Sequence, residues 1–100
     1  MSNYVFNNGD FEFVVGQEQA RIKKDITRQY IESRKLKKMT QKEVANVSGI
    51  KRPNITRFEK ENYNPTIDML VKVAESLGKE LKIKLVDKVE IENRERDHRI

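Results

Sequence analysis

The sequence predicts a mainly α-helical bundle with a short β-strand on each flank, at about residues 11–15 and 80–86. Three observations carry that expectation. Apolar side chains recur at every third or fourth position through much of residues 17–77, the period of helices with one buried face. Thr40 and Thr66 stand ahead of two of these runs and Gly49 and Gly78 behind them. A hydroxyl can cap free amides at a helix start, and a glycine can turn left-handed at its end. On the flanks the period changes to two: Phe11, Phe13 and Val15 alternate with Glu12 and Val14, and Leu81, Ile83 and Leu85 alternate with Lys82 and Lys84.

Residues 1–16 read as an N-terminal extension, with Asn8-Gly9 as a turn before the strand and residues 4–6 as a candidate second arm of a hairpin. From Gln17 to Lys38, Ile22, Ile26, Tyr30 and Ser33 share one face of a long amphipathic helix, broadened by Ile31 and Leu36. Lys35, Lys37 and Lys38 gather at its C-terminal end, where cations oppose the helix dipole favourably. Thr40 with Glu43 three residues on forms a capping box for the next helix. Val44, Ala45 and Val47 are its apolar side, with Gln41, Lys42, Glu43 and Asn46 facing outward. Gly49 closes it, and Ile50 supplies the apolar contact that accompanies such a cap.

A second short helix points Ile55 and Phe58 inward and leaves Arg52, Pro53, Asn54 and Arg57 exposed. Proline restricts the residue before it, so this helix is expected to start at Pro53 with Arg52 as its cap, shifting Lys51 outward. Two short helices joined at a glycine turn, with the small Ala45 at their crossing, present the second helix to a DNA major groove. The polar turn around Asn64-Pro65 leads to Thr66 and a last helix, with Ile67, Leu70, Val71, Ala74 and Leu77 apolar and Val73 beside them. Residues 17–78 thus form the domain proper. Residues 79–86 are a strand with no local partner, which must pair with residues 11–15, with its counterpart in a second copy or with another protein. Residues 87–100 are a charged tail, solvated as a helix or disordered.

Composition narrows the function. One hundred residues suit one domain, and the absence of cysteine removes disulfides and thiolate metal sites and fits a cytoplasmic protein. No apolar run is long enough for a membrane span. The net charge is −2 over residues 1–16, +7 over 17–64, +1 over 65–86 and −1 over 87–100, so the basic charge lies on the helices that carry the glycine turn. That distribution suits a phosphate-binding face. His98, the one histidine, lies in the tail, so no histidine relay or multi-histidine metal site can be built. There is also no glycine-rich phosphate loop, and neither an enzyme nor a cofactor is expected.

The segments YIESRKLKKMTQKEVANVSGI and FEKENYNPTIDMLVKVAESLG, in that order within residues 30–78, resemble the lambda-repressor-like (XRE) helix-turn-helix family. The resemblance implies a bundle of helices that binds double-stranded operator DNA, usually as a homodimer. By position it implies that Arg52, Pro53, Asn54 and Arg57 face base edges, and that Gln41, Lys51, Lys60, Asn62 and Tyr63 contact the DNA backbone. It also implies that Arg34 and Glu59 join the first helix to the end of the recognition helix. The chemistry of several positions agrees: an arginine fork fits guanine O6 and N7, and an asparagine can pair with adenine. Pro53 offers at most an apolar contact to a thymine methyl.

Within that family, the extended first helix, the segment IESRKLKKMTQ and the segment GKELKIKLV are similar to HigA-type antitoxins. That similarity implies a small RNA-cleaving toxin as partner and repression of the protein's own operon. The alternative is a phage, plasmid or restriction-modification controller without a toxin, since these share the core and differ in the flanks.

Overall fold

The computed structural model describes residues 8–61 and 63–88. They form α1 (Asn8–Leu36), α2 (Gln41–Ser48), α3 (Arg52–Glu59) and α4 (Ile67–Ser76). The expectations for residues 1–7, Asn62 and residues 89–100 lie outside the described residues.

The bundle is mainly helical, as the periodicity predicts, but neither flanking strand forms. Residues 11–15 belong to α1, which begins nine residues before the expected start. A five-residue apolar run satisfies both periods: Phe11 and Val15 are four apart, and Val15, Glu18 and Ile22 continue the same face. Once the downstream helix exists, extending it adds a hydrogen bond for each residue fixed, whereas a strand needs a partner. Gly16 interrupts the run only in propensity, since nothing lies within 4 Å of where its Cβ would be. With residues 11–15 helical, residues 80–86 lose their nearest pairing partner and form neither helix nor strand. Leu81 packs against the core, while Ile83, Leu85 and Val86 are exposed. The segment runs back along α1: residues 79–82 lie beside Gln29, Tyr30 and Ser33, and the Lys88 charge acts on Glu18.

Helix ends follow the chemistry of their residues. Lys38 and Gly78 are left-handed (φ 57° and 68°), and each closes a helix with the same pair of bonds. Lys38 N–H donates to Lys35 O and Met39 N–H to Arg34 O; Gly78 N–H donates to Glu75 O and Lys79 N–H to Ala74 O. Lysine takes the left-handed backbone here at a cost of about 1–2 kcal/mol, and α1 stops at Leu36, two residues before the expected end. Gly49 (φ 79°) closes α2 through a single bond from its N–H to Ala45 O.

The core comprises Val44, Ala45, Ile55, Phe58, Met69, Leu70, Val73 and Leu77, flanked by Ile26, Tyr30, Met39, Ile50, Tyr63 and Leu81. Five residues expected on apolar faces are outside it: Ile22, Leu36, Val47, Ile67 and Val71 are all exposed. The buried face of α2 follows positions 41, 44, 45 and 48, which turns Val47 away. In α4 the buried set is Met69, Leu70, Val73 and Ala74, rotated from the expected stripe so that Ile67 and Val71 lie on its rim.

Tyr30 joins α1 to α4. Its ring meets Phe58 edge-on at 5.3 Å between centroids, and its hydroxyl donates to Leu70 O at 2.8 Å. Partial burial raises its pKa above the ordinary phenol value because the phenolate would be poorly solvated. The contribution of the neutral phenol to stability is therefore complete below the pKa of an unfolded tyrosine, about 10, and is lost as pH rises through the higher folded value. Urea unfolding of wild type between about pH 8 and pH 11 is expected to show an alkaline loss of stability that Tyr30→Phe lacks. Parallel profiles for the two proteins would refute the assignment.

Candidate nucleic-acid interface

The turn between α2 and α3 sets where α3 lies. Thr40 caps α2 with the predicted box: its Oγ1 accepts from Glu43 N–H at 3.1 Å, and its own N–H donates to Glu43 Oε1 at 2.8 Å. Ser48 Oγ accepts from Ile50 N–H at 3.1 Å just beyond Gly49, and Ile50 reaches the core. The cap of α3 is Lys51, not Arg52: Arg52 is its first helical residue, and Lys51 O accepts from Asn54 N–H at 2.9 Å. Pro53 falls in the first turn, where an amide has no partner within the helix and proline's missing N–H costs nothing.

A polar cluster ties three helices together behind this turn. Arg34 on α1 meets Glu59 at the end of α3 with two parallel bonds, Nε to Oε2 at 2.7 Å and Nη2 to Oε1 at 2.9 Å. Its remaining Nη1 donates to Met39 O at 2.9 Å. Gln41, the first residue of α2, donates from Nε2 to Glu59 Oε1 at 3.0 Å and accepts from Thr56 Oγ1 at 2.8 Å. The Arg34 and Glu59 side chains are only 14% and 10% exposed, so this is a nearly dry bidentate pair. Gln41, expected to face outward, is half-buried within it. One of its two amide hydrogens is used by Glu59, which leaves the other for an outside acceptor.

Opposite the core, α3 exposes Arg52, Pro53 and Arg57, with Asn54 half-buried among them. Lys51 and Lys60 are exposed at its two ends. Asn54 and Arg57, each expected to read a base, bond each other: Arg57 Nη2 donates to Asn54 Oδ1. Arg57 also lies over the Tyr63 ring, 5.8 Å from its centroid. The face so formed is one cationic strip with Gln41 at its edge, the disposition expected of a groove-facing helix. Sequence reasoning missed Thr56, which holds Gln41, and Thr27, buried on α1 with its hydroxyl 3.5 Å from Phe58 O. Neither has a local signal, since their partners lie 15 and 31 residues away.

The family model described as helix-turn-helix matches residues 31–83. The chain belongs to the XRE-type family of helix-turn-helix transcription regulators. It is 32% identical over 81 residues to a protein of Haemophilus influenzae described as an uncharacterized helix-turn-helix-type transcriptional regulator, covering 77% of this chain and 83% of the relative. It also superposes on a chain of a toxin-antitoxin module from Streptococcus pneumoniae with a TM-score of 0.57 and 28% identity, covering 86% of this chain and 96% of that one. The family match takes in both α2 and α3, the two short helices joined at the Gly49 turn. No helix among the described residues is long and apolar enough to cross a membrane.

The cluster behind α3 generates a thermodynamic expectation. Arg34→Ala leaves the nearly buried Glu59 carboxylate without its fork and is expected to destabilise the fold by about 3 kcal/mol in urea titration. Glu59→Leu strands Arg34 in the same way, and the double variant Arg34→Met/Glu59→Leu is expected to lose much less than the two single changes together. Additive losses would show that the pair does not act as a unit.

Proposed function

We propose that this regulator is the antitoxin of a type II toxin-antitoxin pair, a cytoplasmic homodimer that represses its own operon and neutralises an RNA-cleaving toxin. The observation that carries this reading is the extent of the likeness to the pneumococcal toxin-antitoxin module. It takes in 86% of the chain, whereas the helix-turn-helix match occupies residues 31–83, so the likeness reaches into the flanks. In this reading residues 17–78 bind the operator, with Arg52, Pro53, Asn54 and Arg57 on the side that faces the bases and Gln41, Lys51, Lys60 and Asn62 contacting the backbone. The flanks serve protein partners. The N-terminal part of α1 exposes Phe11 and Phe13, and the unpaired segment after α4 exposes Ile83, Leu85 and Val86. An extended segment with free backbone groups and apolar side chains is suited to pairing with another strand, in a second copy or in a toxin. Two-fold symmetry of the dimer would match a palindromic operator with half-sites about one helical turn apart.

The test is an electrophoretic titration of DNA from upstream of the protein's own gene, alone and with the product of the adjacent reading frame. The full chain is expected to retard that DNA, Arg57→Ala is expected to weaken the retardation and relax its base preference, and the neighbouring product is expected to join the complex and lose its RNA-cleaving activity. Deleting residues 80–86 is expected to give monomers by light scattering. A neighbour that neither binds nor cleaves RNA would refute the antitoxin role, and a persistent dimer would refute pairing through that segment.

A further inference from the structure

Resting on the assignment of α3 to the groove, we propose that Tyr63 and Asn54 are positioning residues that clamp Arg57 for guanine. Tyr63 then sets base preference through Arg57 and not by bonding the DNA backbone. Arg57 is exposed, and a free arginine side chain would have to surrender its rotamer freedom on meeting a base. It is held from two sides before any DNA arrives. Asn54, one turn earlier on the same helix, accepts from Nη2. Tyr63, from the segment after α3, offers its ring face 5.8 Å from the guanidinium carbon.

The ring is itself anchored. Tyr63 is half-buried against the core and lies beside Phe58, Pro65 and Leu70. A guanidinium resting on that ring therefore leans on the rigid part of the fold. Only one donor of the five-donor fork is spent on Asn54, so the remaining N–H groups stay available for the O6 and N7 acceptors of guanine. The Arg52 side chain makes no hydrogen bond or ion pair among the described residues, so the clamp distinguishes Arg57 from the other arginine of α3. In this arrangement Asn54 orients the reader, with its amide oxygen already occupied by Arg57 in the free protein.

A backbone contact by tyrosine works through its hydroxyl, whereas the clamp works through the ring face, and two substitutions separate them. The full chain is used to select binding sites from a pool of random-core duplex DNA. Wild type, Tyr63→Phe, Tyr63→Leu and Arg57→Ala are then titrated against the selected duplex and its single-base variants at several salt concentrations. Arg57→Ala identifies the guanine that Arg57 reads. Tyr63→Phe is expected to keep both the discrimination at that base pair and the salt slope. Tyr63→Leu, which keeps apolar packing but has no ring face, is expected to lower that discrimination about three- to fivefold with the salt slope unchanged.

The proposal is overturned if Tyr63→Leu keeps the discrimination. It is equally overturned if Tyr63→Phe weakens binding to all sequences alike and flattens the salt slope by about one contact, which would mark a backbone role. If Arg57→Ala alters no base preference, the groove assignment itself fails and the clamp with it. A readout independent of variant folding is the proton NMR spectrum of free wild type. The Arg57 side-chain protons are expected to be shifted upfield by the Tyr63 ring, and unshifted protons would contradict the clamp.

Discussion

The bidentate bond between Arg34 and Glu59 is the constraint on which the reading surface depends. It joins residues 25 apart, the end of α1 to the end of α3, and it is closed off from water on most sides. The apolar core alone would allow α3 to rotate about its own axis, because Ile55 and Phe58 are its two buried side chains. A planar fork meeting a carboxylate has no such latitude. Gln41 and Thr56 extend the same cluster to the start of α2 and the middle of α3, so the two helices of the motif are locked at both the turn and the far end. Such a pair adds little net stability compared with apolar packing, and its value lies in fixing geometry.

That geometry separates the molecule into two kinds of surface. The face opposite the core on α3 is cationic and polar, while the two flanks expose large apolar side chains on the projecting start of α1 and on the extended segment behind α4. A DNA-facing surface and a protein-facing surface on one small chain are what the proposed dual role requires. The α1 helix that carries the exposed aromatics also carries Arg34, so anything binding the start of α1 is mechanically continuous with the cluster behind the reading helix.

Most of this was legible in the sequence where the controlling interaction is local. The capping box at Thr40, the cap at Thr66, the glycine closures at Gly49 and Gly78 and the inward positions Val44, Ala45, Ile55 and Phe58 each follow from residues within one or two turns of one another. What failed depends on distance. Phe11–Val15 carries two periodicities at once, and only the presence of a helix downstream decides between them. The expected strand at 80–86 has no partner among the described residues once that segment is helical. Gln41 was expected to face outward because nothing nearby holds it; its partners are Thr56 and Glu59. Among the candidate site residues, Arg34 and Glu59 form a bidentate pair, Asn54 and Arg57 form a pair that spacing alone leaves open, and Pro53 accommodates a helix start one residue earlier than its usual preference suggests.

The central claim is that α3, held by the Arg34–Glu59 cluster, is the surface that meets DNA. Backbone amide chemical-shift mapping of the full chain, titrated with a duplex obtained by selection, tests it most directly. The largest changes are expected at Gln41 and across residues 51–57, with smaller ones at Lys60 and Tyr63 and little change in residues 8–22. Changes concentrated in the first half of α1 or on the outer face of α4, with α3 silent, would contradict the account.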